Sequence, residues 1–322
     1  MLHIEETPLE PPSPGHVRVR VEAAGVAAEN LAERRGMSHP GIKVTLPWML
    51  GAELVGVIEA LGLGVENLQV GTRVAAILEK GAYTSFANIQ AWRCIPVPEG
   101  VDPMHAVAML INYWTAYHVL ITLARIQRRS RMLVTGGSGG VGTAALDLGR
   151  WIGATLYATV SAPKQNTVRI FGATPIDYQT EDFVARTRQL TGDGVDAVLE
   201  MINGEHAVRA FSALRRGGVV LIVGARATKG NLSISEFAPL IKLLPRLALN
   251  RITGQNRIVH FVLMDTKRLR ESYLIVIPKL LTLLAEGKLT PIIGTSYPLA
   301  DAAKAHQALE RGETVGKLVL IP

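Results

Sequence analysis

The chain has 322 residues and a formal charge of +7, from 34 Lys and Arg against 27 Asp and Glu; 48% hydrophobic and 19% charged residues describe a globular chain, not a disordered or fibrous one. No apolar run reaches the ~18 residues needed to span a bilayer. The start Met1-Leu2-His3-Ile4-Glu5-Glu6 lacks the basic-then-apolar order of a signal peptide, and the lone Cys94 can form neither an internal disulfide nor a structural zinc site. A cytoplasmic location is therefore expected. The basic residues are spread along the chain, and the denser stretches 125–131 and 246–257 hold too few aromatics for base stacking, so no nucleic-acid partner is expected.

The amino-terminal third is rich in Gly, Pro and Val. Val17-Arg18-Val19-Arg20-Val21 alternates and predicts a strand with one apolar face. Leu54-Val55-Gly56-Val57-Ile58 and Arg73-Val74-Ala75-Ala76-Ile77 predict two more, with Gly62, Gly64 and Gly71 turning the chain between them. Such closely spaced strands predict a compact β barrel. From residue 102 to 126 the pattern is helical, opened by Asp102 as N-cap before Pro103, and His118 within it is read as a core residue. Strands and helices then alternate: a buried strand at Met132-Leu133-Val134-Thr135, a helix over 141–151, and strands at 155–160, 195–199 and 219–223. Continuous apolar strands separated by helices predict a parallel sheet covered on both faces. Helices at 279–287 and 301–311 precede Leu318-Val319-Leu320-Ile321, a strand placed to return to the amino-terminal barrel; His206 and His306 fall on helices and are read as surface residues.

The turn Gly136-Gly137-Ser138-Gly139-Gly140-Val141-Gly142 lies between a strand and a helix, the setting in which a GxGxxG pattern binds a dinucleotide. Gly137 is assigned the tight turn, Gly139 the close approach to a pyrophosphate, and Gly142 the packing of helix on strand; the amides of Gly140 and Val141 open the helix toward the anion. An NAD site places an acid about 20 residues after the glycines, to bond the ribose 2′-hydroxyl. Between Leu148 and Ile176 there is no carboxylate, but Ser161 and Lys164 are present and suit a 2′-phosphate, so NADPH is the expected cofactor.

Across nearly its whole length the sequence resembles the medium-chain dehydrogenase/reductase superfamily, in its zinc-independent quinone oxidoreductase-like branch. The resemblance is carried by Gly51-Ala52-Glu53-Leu54-Val55-Gly56, Gly81-Ala82-Tyr83, Asn112-Tyr113-Trp114-Thr115-Ala116-Tyr117, the glycine turn, Ile176-Asp177-Tyr178, Leu283-Leu284-Ala285-Glu286-Gly287 and Gly316-Lys317-Leu318-Val319. It implies an α/β chain with a GroES-like β-barrel catalytic domain, 1–108 and 269–322, and a Rossmann NADP-binding domain, 109–268, with the active site in the cleft. It also implies that Tyr178 joins Lys164 at the 2′-phosphate, that Thr115 lies beside the nicotinamide, and that Asn112, Asn203, Gly224 and Lys317 line the cofactor. Members are commonly homodimers joined through the edge of the Rossmann sheet, here Arg257-Ile258-Val259-His260-Phe261. Zinc alcohol dehydrogenases of the superfamily carry Gly-His-Glu where this chain has Gly51-Ala52-Glu53, and Val26-Ala27-Ala28 offers no Cys, so no metal is expected. Two departures concern the acceptor side: an Asn common in the branch is Ala27 here, and a Tyr near Ser38-His39 is missing. The chain also starts without the first strand usual in relatives, as a shortened protein or a domain of a longer one would.

Without a metal, the expected chemistry is hydride transfer to an acceptor that needs little acid catalysis, a quinone or an α,β-unsaturated carbonyl. Tyr83, Thr115 and His39 are the candidate donors to the developing oxyanion, with Lys317 lending positive charge. Each has a plainer reading: barrel packing for Tyr83, cofactor positioning for Thr115, an exposed loop for His39, with solvent supplying the proton. Three alternatives accompany this reading: an enoyl reductase acting on a carrier-bound thioester, a protein that binds NADPH with little turnover, and a nucleic-acid binder using the basic surface.

Overall fold

Alternating valines build the first strand. In the computed structural model, β1 (His16–Val26) buries Val17, Val19 and Val21 and leaves Arg20 exposed, the two-residue period of a half-buried strand. The structure describes residues 2–37, 43–223, 245, 257–261 and 266–322. The chain divides into two compact units, Met1–Trp114 with Met264–Pro322, and Thr115–Leu263.

In the first unit α1 (Ala28–Arg34) follows β1. The next strand, β2 (Glu53–Leu61), pairs antiparallel with β1 and with β3 (Arg73–Ile77). β4 (Phe86–Gln90) adds to β1, and β5 (Ile95–Pro96) to β3. The expected helix over 102–126 is not continuous. It is broken into α2 (Pro103–Ala108), α3 (Ile111–Tyr117) and a π turn over His118–Leu123. Asp102 caps α2 as expected, accepting from the N–H groups of Met104 and His105. The first break has a visible cause: the Ile111 N–H donates to Glu53 Oε2 at 2.8 Å, so a carboxylate from β2 takes a donor that a continuing helix would give to a carbonyl four residues back. At the second break the Ala124 N–H reaches five residues back, to the Val119 carbonyl. His118 is half-buried rather than fully core.

The second unit alternates strand and helix. Its elements are β6 (Arg131–Val134), α4 (Gly140–Ile152), β7 (Thr155–Val160), α5 (Gln165–Arg169), β8 (Thr174–Asp177), α6 (Phe183–Thr191), β9 (Val195–Glu200), α7 (Glu205–Ala210), β10 (Leu214–Val223) and β11 (Arg257–Phe261). They form one sheet in the order β11-β10-β9-β6-β7-β8, parallel at every pairing. Consecutive residues Met132, Leu133 and Val134, and Ala197, Val198 and Leu199, are all fully buried, so both faces are covered. From β6 the chain moves outward through β7 to β8 and then returns to β9 on the opposite side of β6. The carboxyl ends of β6 and β9 therefore flank the point where strand order reverses, the place at which doubly wound sheets bind their ligands.

The last segment returns to the first unit with α8 (Thr266–Ala285), β12 (Ile293–Pro298), α9 (Ala302–Glu310) and β13 (Lys317–Ile321). As expected, the closing strand joins the amino-terminal sheet: Leu320 of β13 pairs antiparallel with Ala24 of β1, while β12 runs parallel to β13. Both chain ends thus build one seven-stranded sheet around Val17, Val19, Leu54, Ile58, Val74 and Leu318.

Candidate cofactor and active site

The glycine turn sits between β6 and α4 at the strand-order reversal. Its left-handed residue is Gly136, at φ +67°, not Gly137 as the pattern suggests. Gly137 is glycine for another reason: a Cβ there would stand 2.7 Å from the Ala158 Cβ on β7. A Cβ on Gly142 would strike the Gly136 carbonyl oxygen, as expected for the residue that lets helix and strand approach. At Gly139 the nearest atom to an added Cβ is 3.5 Å away, so this side of the turn is open. The turn is moored to β7 by Gly136 N–H to Thr159 Oγ1 (3.1 Å) and Gly137 N–H to the Thr159 carbonyl (3.0 Å). No side chain caps α4 at Gly139, which leaves the first-turn amides of Gly140 and Val141 without intrahelical acceptors and backed by the helix dipole. This is a cradle for a pyrophosphate.

The other expected residues of the second unit fall on or after its neighbouring elements. Ser161 follows the end of β7, Lys164 sits half-buried before α5, and Tyr178 follows β8 with 54% of its surface exposed. The first carboxylate after Asp147 of α4 is Asp177, which is buried and whose Oδ1 accepts the Gln179 N–H at 3.0 Å, closing its own turn. Asn203 has φ +68° in the loop after β9. Thr115 is buried, and its Oγ1 has no hydrogen-bond partner among the described residues, an orphan that a ligand would satisfy. An open glycine edge, an uncapped helix start, an acid-free β7 end and an orphaned threonine hydroxyl together fit a phosphorylated dinucleotide.

In the first unit the structure gathers polar groups that the sequence reading left apart. Lys317 Nζ donates to Glu53 Oε1, both side chains being almost wholly buried, and Gly25 is glycine because a Cβ there would collide with this pair. Beside it the Tyr83 hydroxyl donates to Asn30 Oδ1 (3.2 Å) and lies 3.1 Å from His306 Nε2, and Asn30 Nδ2 donates to Glu33 Oε2 (3.1 Å). Burial pushes the Tyr83 phenol well above its usual value, with Glu53 and Glu33 adding to the effect, so Tyr83 keeps its proton. His306 is fully buried on α9, not at the surface as its helix position suggests, and burial lowers its pKa to about 4. Asn112 is buried on α3. His39 and Gly224 lie outside the described residues.

Sequence reasoning missed Glu53, Asn30, Glu33 and Glu200, each buried with its partners. Only Glu53 had a signal, its place beside Ala52 in the Gly51-Ala52-Glu53 segment. A zinc ion does not fit there: Ala52 offers no ligand and Lys317 occupies the Glu53 carboxylate. Among the described residues, no group of three or more His, Cys, Asp or Glu could hold a metal ion.

A parallel sheet with an uncapped glycine turn at its strand-order reversal, in a chain whose two ends build a second sheet, fits the class of dinucleotide-binding proteins. Residues 13–99 match the alcohol dehydrogenase GroES-like domain, and residues 171–320 the zinc-binding dehydrogenase family. The human synaptic vesicle membrane protein VAT-1 homolog is 30% identical over 332 residues, covering 99% of this chain and 82% of that protein. A 2-haloacrylate reductase from a Burkholderia species is 29% identical, over 99% of this chain and 94% of that one. The crystal structure of Escherichia coli quinone oxidoreductase complexed with NADPH matches with a TM-score of 0.85 at 28% identity, covering 99% and 95% of the two chains. The chain belongs to the medium-chain dehydrogenase/reductase superfamily, in its quinone oxidoreductase-like branch.

Proposed function

We propose that the protein uses NADPH to reduce a quinone or an α,β-unsaturated carbonyl compound, without a metal ion. The observation that carries this reading is the acid-free end of β7 beside the open glycine cradle. Gly137, Gly139, Gly140 and Val141 hold the pyrophosphate, and Ser161, Lys164 and Tyr178 take the 2′-phosphate, which a carboxylate would repel. Asn112, Asn203, Gly224 and Lys317 complete the assigned set, Lys317 through its place beside Glu53 rather than by a free ammonium. NADPH supplies a hydride when bound.

The protein's own task is then to orient the acceptor and stabilise the oxyanion that develops on it. Thr115, with its unpartnered buried hydroxyl, is the strongest of the three candidate donors. Tyr83 holds its proton but shares its hydroxyl with Asn30 and His306, and His39 is the third. The proton that completes the reduction comes from solvent. The similarity to proteins named quinone oxidoreductase and 2-haloacrylate reductase supports an activated double bond as the target. Among the described residues, no helix is long and apolar enough to cross a membrane. Among the described residues β11 is the outer strand of its sheet, and it is the edge through which a homodimer would join.

The test is steady-state oxidation of NADPH and of NADH over quinones, enones, enoyl thioesters and aldehydes. Turnover of quinones or enones with a preference for NADPH is expected. Turnover confined to pantetheine-linked enoyl thioesters would move the substrate onto a carrier, and tight NADPH binding with no turnover across the panel would refute the enzymatic reading.

A further inference from the structure

We propose that Glu200 and His206 are a positioning pair of the cofactor site: the buried Glu200 carboxylate, held by His206, fixes the loop after β9 at the strand-order reversal and thereby sets the affinity for the dinucleotide. The proposal rests on the NADPH reading above.

The root of this loop is stitched to the glycine turn. The Thr135 N–H donates to the Leu199 carbonyl, and Thr135 Oγ1 accepts the Met201 N–H at 2.9 Å. A Cβ placed on Gly136 would lie 3.8 Å from Ile202 Cδ1 and 3.9 Å from Met201 Cε, so the loop packs directly against the turn. Past Met201 the backbone leaves the sheet, and its next two amides, Ile202 and Asn203, both donate to Glu200 Oε1, at 2.7 and 3.0 Å. The loop then passes through two left-handed residues, Asn203 at φ +68° and Gly204 at φ +59°. Asn and Gly are the residue types that take up left-handed backbone most readily, and the carboxylate, by accepting the Ile202 and Asn203 amides, fixes where the chain makes this turn.

The other carboxylate oxygen, Oε2, lies 2.9 Å from His206 Nδ1. With Nδ1–H donating, three N–H groups satisfy a side chain that is fully buried. His206 is itself fixed: its ring stacks on Phe183, with centroids 4.3 Å apart and planes 13° from parallel. The Arg209 guanidinium lies 5.0 Å from the Phe183 ring and pairs with Asp182. Sheet pairing alone asks for no carboxylate at the end of β9. An apolar residue would fill the space, but the loop amides would lose their acceptor.

The test compares four variants by fluorescence titration of NADPH, by the kcat and KM for NADPH, and by amide hydrogen exchange of residues 200–206. Glu200→Leu and His206→Leu should raise the NADPH Kd by about tenfold or more, the scale of one or two lost charge-assisted hydrogen bonds, with KM rising more than kcat falls and the Ile202 and Asn203 amides exchanging faster. Glu200→Gln should rescue, because its oxygen still accepts both amides and its NH2 meets His206 in the other tautomer. His206→Asn should rescue likewise, by placing an N–H donor near Nδ1. If Glu200→Leu fails to fold, His206→Leu carries the test, since this side chain is partly exposed. Wild-type affinity and exchange in the Leu variants would overturn the proposal, as would equal losses in the Leu and rescue variants. If the unaltered protein does not bind NADPH, the cofactor reading fails instead, and exchange alone reports whether the pair holds the loop.

Discussion

Two alanines in the glycine turn separate folding from cofactor binding. In Gly137→Ala the new methyl would stand 2.7 Å from the Ala158 Cβ and 3.2 Å from Val168 Cγ1. Carbon atoms pack at roughly 3.5–4.0 Å, so the turn or β7 must shift by about 1 Å. Both contacting carbons at the shorter distance are attached directly to backbone and cannot swing aside. Overpacking of this kind costs about 1–3 kcal/mol, and for a chain of this size each kcal/mol lowers Tm by roughly 2–4 °C. Gly139→Ala meets nothing closer than 3.5 Å, and Gly139 has an ordinary φ of −76° that alanine adopts without strain. Its methyl instead fills the edge where the backbone would approach a pyrophosphate. Gly137→Ala is therefore expected to lower Tm by about 4–8 °C, from about 2 kcal/mol of overpacking. Gly139→Ala should melt close to the unaltered protein but bind NADPH about tenfold or more weakly, since it obstructs the close approach that this glycine permits. Thermal denaturation and fluorescence titration read the two effects. Normal NADPH affinity in Gly139→Ala, or a Tm loss equal to that of Gly137→Ala, would refute the assignment of the open edge to the cofactor.

Lys164→Glu should raise the Kd for NADPH by about tenfold or more while leaving NADH nearly unchanged, because a charge is reversed beside the 2′-phosphate in a half-solvated setting; equal losses with both cofactors would count against the Lys164 assignment. Lys317→Met leaves the buried Glu53 carboxylate without its cation and should cost about 3–5 kcal/mol in urea unfolding, much of which adding Glu53→Gln should restore; a double variant no more stable than the single would show that the pair is not the cause. His306, with its pKa lowered to about 4 by burial, makes stability depend on pH with a definite sign. The unfolded imidazole takes up its proton near 6.5, the ordinary histidine value, while the folded one resists, so stability is fully present above that pH and declines as pH falls toward 4. His306→Gln should flatten the slope of unfolding free energy in that window, and an unchanged slope would exclude His306 as its source.

Features that repeat over short distances were legible in the chain. The valines of β1, the continuous apolar strands of the parallel sheet and the Asp102 cap depend on periods and neighbours within a few residues, and each appears where its pattern placed it. The glycine turn was legible as a unit, but the division of labour within it was not. Which glycine must bend and which must let another strand close in depends on Ala158 and Thr159, on a strand the pattern cannot position. Helix continuity failed for the same kind of reason, because the break at residue 111 is made by a carboxylate from β2.

The buried polar groups were illegible because their partners are remote in sequence, and Glu53 is the clearest case. Read along the sequence, it is only the residue that follows Ala52 in the Gly51-Ala52-Glu53 segment, with no partner in view. Its partner Lys317 lies 264 positions away, a separation no local pattern spans. In the fold, one carboxylate oxygen neutralises that ammonium and the other accepts the Ile111 N–H, the bond that ends α2 and starts α3. Asn112 and Thr115, both assigned to the cofactor, are carried on α3. The carboxylate therefore has a reason to be here that is independent of any metal. It sets the start of α3, which carries Thr115 with its buried hydroxyl unpartnered among the described residues, and Lys317 fixes that carboxylate in place.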